Sequence, residues 1–295
     1  MRLRLEALAK VNRSLRVLGV RPDGYHELDT LFQTIDLADE LVLAEDDQLR
    51  LSIIGDVLPA DDRNLVLAAA RALAARSGTT RGARLSLTKR IPVGAGLGGG
   101  SADAAAALLG LNALWEMGLP VEELRLVAAS VGSDVAFFLF GGRARGTGRG
   151  ERIESLPDVS DESLVLLLPP FGMSTPDVYR ELGAGPLAGR PPAGPPIEEM
   201  PDRNDLEAAA ERLRPGLRAL RESLLEEGAV SARLSGSGST LFGVFRSRVE
   251  AERARSALDS RDGARAVLTR TVSRGEWRRR ACPGGGHGKG AEALR

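Results

Sequence analysis

Five glycines fall within seven positions, Gly94 to Gly100, in the run "RIPVGAGLGGGSADAAAALLGLN". Glycine loses more conformational entropy on folding than any other residue. Such a cluster therefore implies a backbone that must take φ > 0 or approach something closely. A flexible linker has a similar composition, but linkers rarely sit between an alternating strand and a helix. Before this run lies "ARLSLTKRI", where Leu85 and Leu87 alternate with Arg84, Ser86 and Thr88; after it, a helical pattern extends from about Ala102 through Trp115. Amides converging at a helix N-terminus bind anions, and the helix dipole adds to the attraction. The density favours a phosphate cradle built from Pro92, Val93, Gly94, Ala95, Gly96, Leu97, Gly98, Gly99, Gly100, Ser101 and Ala102. Ser101 either caps the helix or turns its hydroxyl toward phosphate or metal.

Three familiar glycine patterns fail on their details. Gly94-Ala95-Gly96-Leu97-Gly98-Gly99 meets the spacing of a dinucleotide fingerprint, yet no second strand ending in an acid follows the helix. A Walker A loop needs lysine where Gly100 stands, which removes the charge on the β- and γ-phosphates. A hydrolase elbow needs glycine two residues after Ser101, and Asp103 is there instead.

The rest of the chain narrows the class. Among 295 residues, forty basic and forty acidic side chains cancel, which argues against a nucleic-acid binder working through a basic surface. One cysteine, Cys282, allows no internal disulfide and fits a reducing cytoplasm. With only His26 and His287 beside it, a zinc site of histidine and thiolate is excluded. Charges alternate in "MRLRLEALAKVN", unlike a signal peptide, and no apolar run reaches membrane-spanning length. A cytoplasmic protein without membrane or nucleic-acid partners is expected.

Periodicity places strands at "MRLRLEA", "RSLRVLGV" and "ELVLAE", with a Pro-Asp-Gly turn in "RPDGYHEL". "RNLVLAAARALAARSG" reads as a helix capped by Gly78, and "VEELRLVAASVG" as another. The polar "SLPDVSDES" marks a boundary before the strand "LVLLL", dividing residues 1–158 from 159–282. "AGPLAGRPPAGPPIEEMP" is expected as a surface loop. Pro215 opens the second helix of "NDLEAAAERLRPGLRALRESLLEEG". "ARLSGSGSTLFGVF" runs strand, glycine turn, strand, before a helix "VEAERARSALDS" and a strand "ARAVLTRTV". Residues 283–295 form a flexible tail.

Locally, the polar candidates stay ambiguous. Asp134 beside the apolar "VAFF" suits a general base or a helix N-cap equally. Lys10 at a strand end reads as a solvated charge, and Tyr25 and His26 as incidental turn residues. The Ser235–Thr240 turn is hairpin-like.

"PVGAGLGGGSADA", the "AKVN" strand and the late "LSGSGSTLFGVF" turn together resemble the GHMP small-molecule kinases. "LGVRPDGYHELDTLFQTIDLAD", "GSDVAFFLFGG", "STPDVY" and "RNDLE" resemble the branch whose acceptor alcohol carries a cytidine diphosphate, over roughly Leu8 to Val272. The resemblance implies a two-domain α+β fold, the first half like domain 2 of ribosomal protein S5 and the second ferredoxin-like, with the site in the cleft. It implies ATP as phosphoryl donor and a small-molecule acceptor, in a monomer or weak homodimer. It assigns catalysis to Lys10 and Asp134 and acceptor binding to Asn12, Tyr25, His26 and Tyr179. The two tyrosines would take opposite faces of the cytosine while His26 reads its edge. Asn64 and Asn112 map to the adenosine side as readily as to structural positions. No carboxylate cluster marks a metal cage, so Mg²⁺ is expected to arrive with ATP. Leu8, Arg13, Ala136 and Ser239 depart from the family pattern, which has proline or, at Arg13, an apolar residue.

Overall fold

The alternation at the start of the chain continues unbroken into one long hairpin. β1 (Arg2–Val20) pairs antiparallel with β2 (His26–Asp46), so the segments expected as separate strands are joined. Register shifts at Leu8/Lys10, Asn12/Ser14 and Val17/Gly19 interrupt the ladder, and such irregularities re-aim side chains. β3 (Leu49–Ile54), β4 (Gly82–Thr88), β5 (Arg143–Gly148), β6 (Arg152–Ser155) and a short β8 (Arg203–Asn204) complete this sheet. Its order is β3-β4-β2-β1-β8, with β5 on β2 and β6 on β5. The computed structural model describes residues 1–55, 60–61, 63–159, 161–183, 185, 197 and 202–284.

Three helices cover the sheet: α1 (Leu65–Ser77), α2 (Gly99–Leu114) and α3 (Val121–Val131). Asn64 caps α1 by accepting from Val66 N, and Gly78 ends it at φ 68°. α2 is apolar on nearly every side because it is a core helix, buried between sheet and neighbours. It begins at Gly99, not near Ala102: Ala102 N already donates to Gly98 O at 2.9 Å, so Gly99 and Gly100 belong to its first turn. Gly98, not Ser101, is the N-cap.

A second sheet, β11-β7-β10-β9, uses β7 (Ser163–Leu168), β9 (Ser231–Leu234), β10 (Leu241–Phe245) and β11 (Arg265–Arg270). The strand "LVLLL" is apolar throughout because both its faces are covered. Val165 and Leu167 face α6 (Gly216–Glu226) and α7 (Arg248–Leu258) in one core, which α5 (Glu207–Leu213) also joins. Leu164, Leu166 and Leu168, with Phe242 and Val244, meet Ala9, Val11, Ile35, Ile91 and Leu97 in another. The second core is a seam between the two sheets. α4 (Thr175–Leu182) and α8 (Arg274–Ala281) are further helices, and α8 sends Trp277 and Ala281 back into the core of the first sheet. The proline- and glycine-rich stretch from Ala184 and the tail beyond Gly284 lie outside the described residues, Gly185 and Ile197 apart.

Candidate active site

A cavity of about 1150 Å³ opens where β1, β2, the glycine loop, α4 and the Ser235–Thr240 turn converge. Lys10 and Asn12 project from β1 in the same direction, two residues apart. Burial lowers the pKa of Lys10, and Asp134 partly opposes the shift. Its Nζ donates to Asn12 Oδ1 at 2.5 Å and to Gly96 O at 3.1 Å, and lies 3.5 Å from Asp134 Oδ2. The Lys10 side chain is 4% exposed and that of Asp134 34%, so the carboxylate faces the cavity with the ammonium behind it. The next helical turn, Phe137–Leu139, has Ala136 at its N-cap; Asp134 contributes only its backbone carbonyl, to Phe137 N.

The glycine loop is fastened on two sides. Lys10 N donates to Leu97 O at 3.0 Å, and Thr240 N to Ala95 O at 3.1 Å. Gly96 has φ +78°, and a Cβ there would stand 2.1 Å from Ser235 O; only glycine lets loop and turn meet. At Gly98 a Cβ would reach Phe138 at 2.6 Å and Lys10 Cε at 3.2 Å. Pro92, Val93, Gly94, Ala95, Gly96, Gly98, Gly99, Gly100 and Ser101 border the cavity. Leu97 and Ala102 instead fill two cores with their side chains.

At the far end, His26 stacks on Tyr179 with centroids 4.4 Å apart, and the Arg149 guanidinium lies over the Tyr25 ring at 4.8 Å. The imidazole itself therefore covers a face of Tyr179. Burial lowers the His26 pKa; burial, with the charge of Asp134, raises that of Tyr179. Asn64 borders the cavity while capping α1. Asn112 does not join them: its amide is spent on the backbone of Leu119, donating to O and accepting from N at 3.0 Å each.

Sequence reasoning missed Lys89, Asp103, Arg149 and Thr175, which also border the cavity. Lys89 is buried between Asp39 and Asp103, whose charges outweigh burial and raise its pKa. Burial pushes the Asp103 carboxyl up to about 7, against the pull of Lys89. Asp39 also accepts from Arg90 N at 2.5 Å and Ile91 N at 2.8 Å, anchoring the approach to the loop. The departures from the pattern find local partners: Arg13 pairs with Glu162 and Asp202, Ser239 Oγ donates to Phe171 O, and Leu8 and Ala136 are buried.

Among the described residues no group of three or more histidine, cysteine or acidic side chains is arranged to hold a metal, and no helix is long and apolar enough to cross a membrane. Backbone amides at the start of α2 and a buried cation make an anion-binding environment next to a carboxylate able to take a proton.

That combination suits phosphoryl transfer, and comparison with known proteins shows the family. The GHMP kinases N terminal domain matches residues 64–142, and the GHMP kinases C terminal domain residues 193–264. A 4-diphosphocytidyl-2-C-methyl-D-erythritol kinase of Moorella thermoacetica is 43% identical, over 92% of this chain and 99% of that protein. One of Listeria monocytogenes is 39% identical, over 88% and 92%. A crystal structure of 4-(cytidine 5'-diphospho)-2C-methyl-D-erythritol kinase superposes with a TM-score of 0.77 at 37% identity, covering 92% of this chain and 100% of that one. The chain belongs to the GHMP kinases, in the branch of the 4-diphosphocytidyl-2-C-methyl-D-erythritol kinases. It is a kinase with the α+β fold of that family.

Proposed function

We propose that this kinase transfers the γ-phosphoryl group of ATP to the 2-hydroxyl of 4-diphosphocytidyl-2-C-methyl-D-erythritol, a step of non-mevalonate isoprenoid precursor synthesis. The observation that carries the reading is the Lys10–Asp134 pair, 3.5 Å apart between the glycine loop and the His26–Tyr179 stack. Asp134 accepts the proton of the acceptor hydroxyl as its oxygen bonds to phosphorus and the bond to the departing ADP oxygen breaks. Lys10, held by Asn12 and Gly96, supports the charge on the transferring group. The loop amides and the first turn of α2 suit the donor phosphates, with Asn64 on the adenosine side. Mg²⁺, when bound with ATP, supplies further charge neutralisation; the open, carboxylate-poor site fits an ion that keeps several waters. Tyr25 offers a stacking face to the cytosine, and His26, backed by Tyr179, hydrogen-bonds its edge. Residues 1–158 and 159–282 form two domains, with β8 and α8 of the second packing onto the first, and the enzyme works in the cytoplasm as a monomer or weak homodimer, with Cys282 kept as a buried thiol.

The test measures ADP and phosphorylated product with ATP and the cytidine acceptor, its uridine analogue, mevalonate and homoserine. Only the cytidine compound is expected to turn over efficiently. Asp134→Asn and Lys10→Ala each lower kcat by about a hundredfold or more, at the low end of general-base effects. Tyr25→Ala raises the acceptor KM by about tenfold, as loss of one stacking contact implies. His26→Ala narrows the gap between cytidine and uridine acceptors. Equal use of mevalonate, or full turnover by Asp134→Asn, would sink the proposal.

A further inference from the structure

Asn204 lies in the "RNDLE" stretch, next to β1 but outside the cavity lining. It pairs with Leu15 in the short parallel bridge of β8 to β1, and it is 8% exposed. Its amide nitrogen donates to Leu234 O at 2.9 Å and to Gly236 O at 2.7 Å, while its oxygen accepts from Leu206 N at 2.9 Å. The orientation is forced, because the flipped amide would face two carbonyls with an oxygen. One donation goes to the last residue of β9 and the other to Gly236, inside the Ser235–Thr240 turn. That turn is what the reacting groups lean on. A Cβ on Gly236 would stand 3.3 Å from Asn12 Oδ1, 3.5 Å from Lys10 Nζ and 3.5 Å from Gly96 O. Ser235 Oγ donates at 2.9 Å to Gly96 O, the carbonyl that also holds Lys10 Nζ.

We infer that Asn204 is a positioning residue for phosphoryl transfer: it fixes the glycine turn against which Lys10 and Gly96 are set. The inference rests on the reading of Lys10 and Asp134 as the reacting pair. Asparagine is required chemically. Aspartate keeps the shape and the bond from Leu206 but loses both donations, and leucine leaves two buried carbonyls unpaired.

The experiment compares wild type, Asn204→Asp, Lys10→Ala and the double variant, with ATP and the cytidine acceptor. Asn204→Asp is expected to lower kcat about tenfold or more with both KM values within about twofold, the signature of a group acting in the transition state. In the Lys10→Ala background the same change should cost almost nothing further, since both act through one group. Asp205→Ala is the structural control. It removes the acceptor of Val17 N on the same strand and should lower Tm without changing kcat. If Asn204→Asp does not fold, Ser235→Ala cuts the next link in the chain and should give the same kcat-selective loss that vanishes without Lys10. Unchanged kcat in the folded variant, or an equal loss with and without Lys10, overturns the inference while leaving the reaction intact. A wild-type enzyme that does not turn over overturns the reading of the reaction itself, and this inference with it.

Discussion

Asp103 shows how a single proton is written into the structure of the loop. Its carboxyl is raised to about 7 by burial, with Lys89 opposing and the neighbouring Asp39 reinforcing the shift. Its second oxygen is buried without a hydrogen-bond partner. The folded chain therefore keeps a proton that the unfolded chain releases near 3.8. Stability from this group is fully present below that lower value and is lost as pH rises through about 7. An asparagine side chain at this position would resemble the protonated acid at every pH. Asp103→Asn should therefore gain on wild type as pH rises from about 4 to about 7, the window between the unfolded and folded values. Urea midpoints across that range measure the difference, and a constant gap would refute the assignment. None of this was legible in "TKRIPVG" or "SADA", where lysine and aspartate look solvated. Only the approach of β2 brings Asp39 to the other side of Lys89.

Among the elements, those with strong local punctuation were legible. Gly78 after an alanine-rich pattern, Pro215 before an amphipathic one and the small residues between β9 and β10 each end up at the expected junction. α4 carries comparable signals, Pro176 in its first turn and Gly183 at its end. Its eight residues bury Val178 alone, too little for a hydrophobic period to mark a helix. α8 offers even less: only Trp277 and Ala281 are buried among arginines, and tertiary packing decides that helix. Two glycines separate what a loop needs from what a helix end needs. Gly78 has φ +68° and open space where a Cβ would go, so Gly78→Ala costs only the left-handed backbone, about 1–2 kcal/mol. Gly96 has a similar φ, but its Cβ would strike Ser235 O. Gly96→Ala should cost more stability and also raise the KM for ATP, whereas Gly78→Ala leaves both KM values alone. Denaturation and steady-state kinetics on the pair decide it; equal behaviour would mean that the loop–turn contact is dispensable.

At the scale of the molecule, the strand that carries Lys10 also closes the seam between the sheets. Lys10 and Asn12 turn toward the cavity, while Ala9 and Val11 pack against Leu164, Leu166 and Phe242 from the second sheet. Arg13 reinforces the junction through Glu162 and Asp202. A connector near Pro157 is legible in the local composition, but this shared core is not, because long-range packing across a connector leaves no local periodicity. Nor does any local pattern place His26 on Tyr179, a contact between residues far apart in the chain. The two sheets should consequently lose structure together, since unfolding either one exposes the apolar face of the other. Phe242 is fully buried in the seam, so Phe242→Ala should cost about 3–5 kcal/mol, the range for a large aromatic removed from a core. The loss should lower one common transition, not detach a second sheet that melts alone. Calorimetry, with circular dichroism and the fluorescence of Trp115 and Trp277 followed in parallel, is the measurement. Both tryptophans sit in the core of the first sheet, so their signal reports that side of the seam. Coincident transitions that shift downward together in Phe242→Ala are expected. An unchanged tryptophan transition, while the remaining helical signal melts earlier, would show that the seam does not couple the sheets and that the cleft is assembled from independently stable halves.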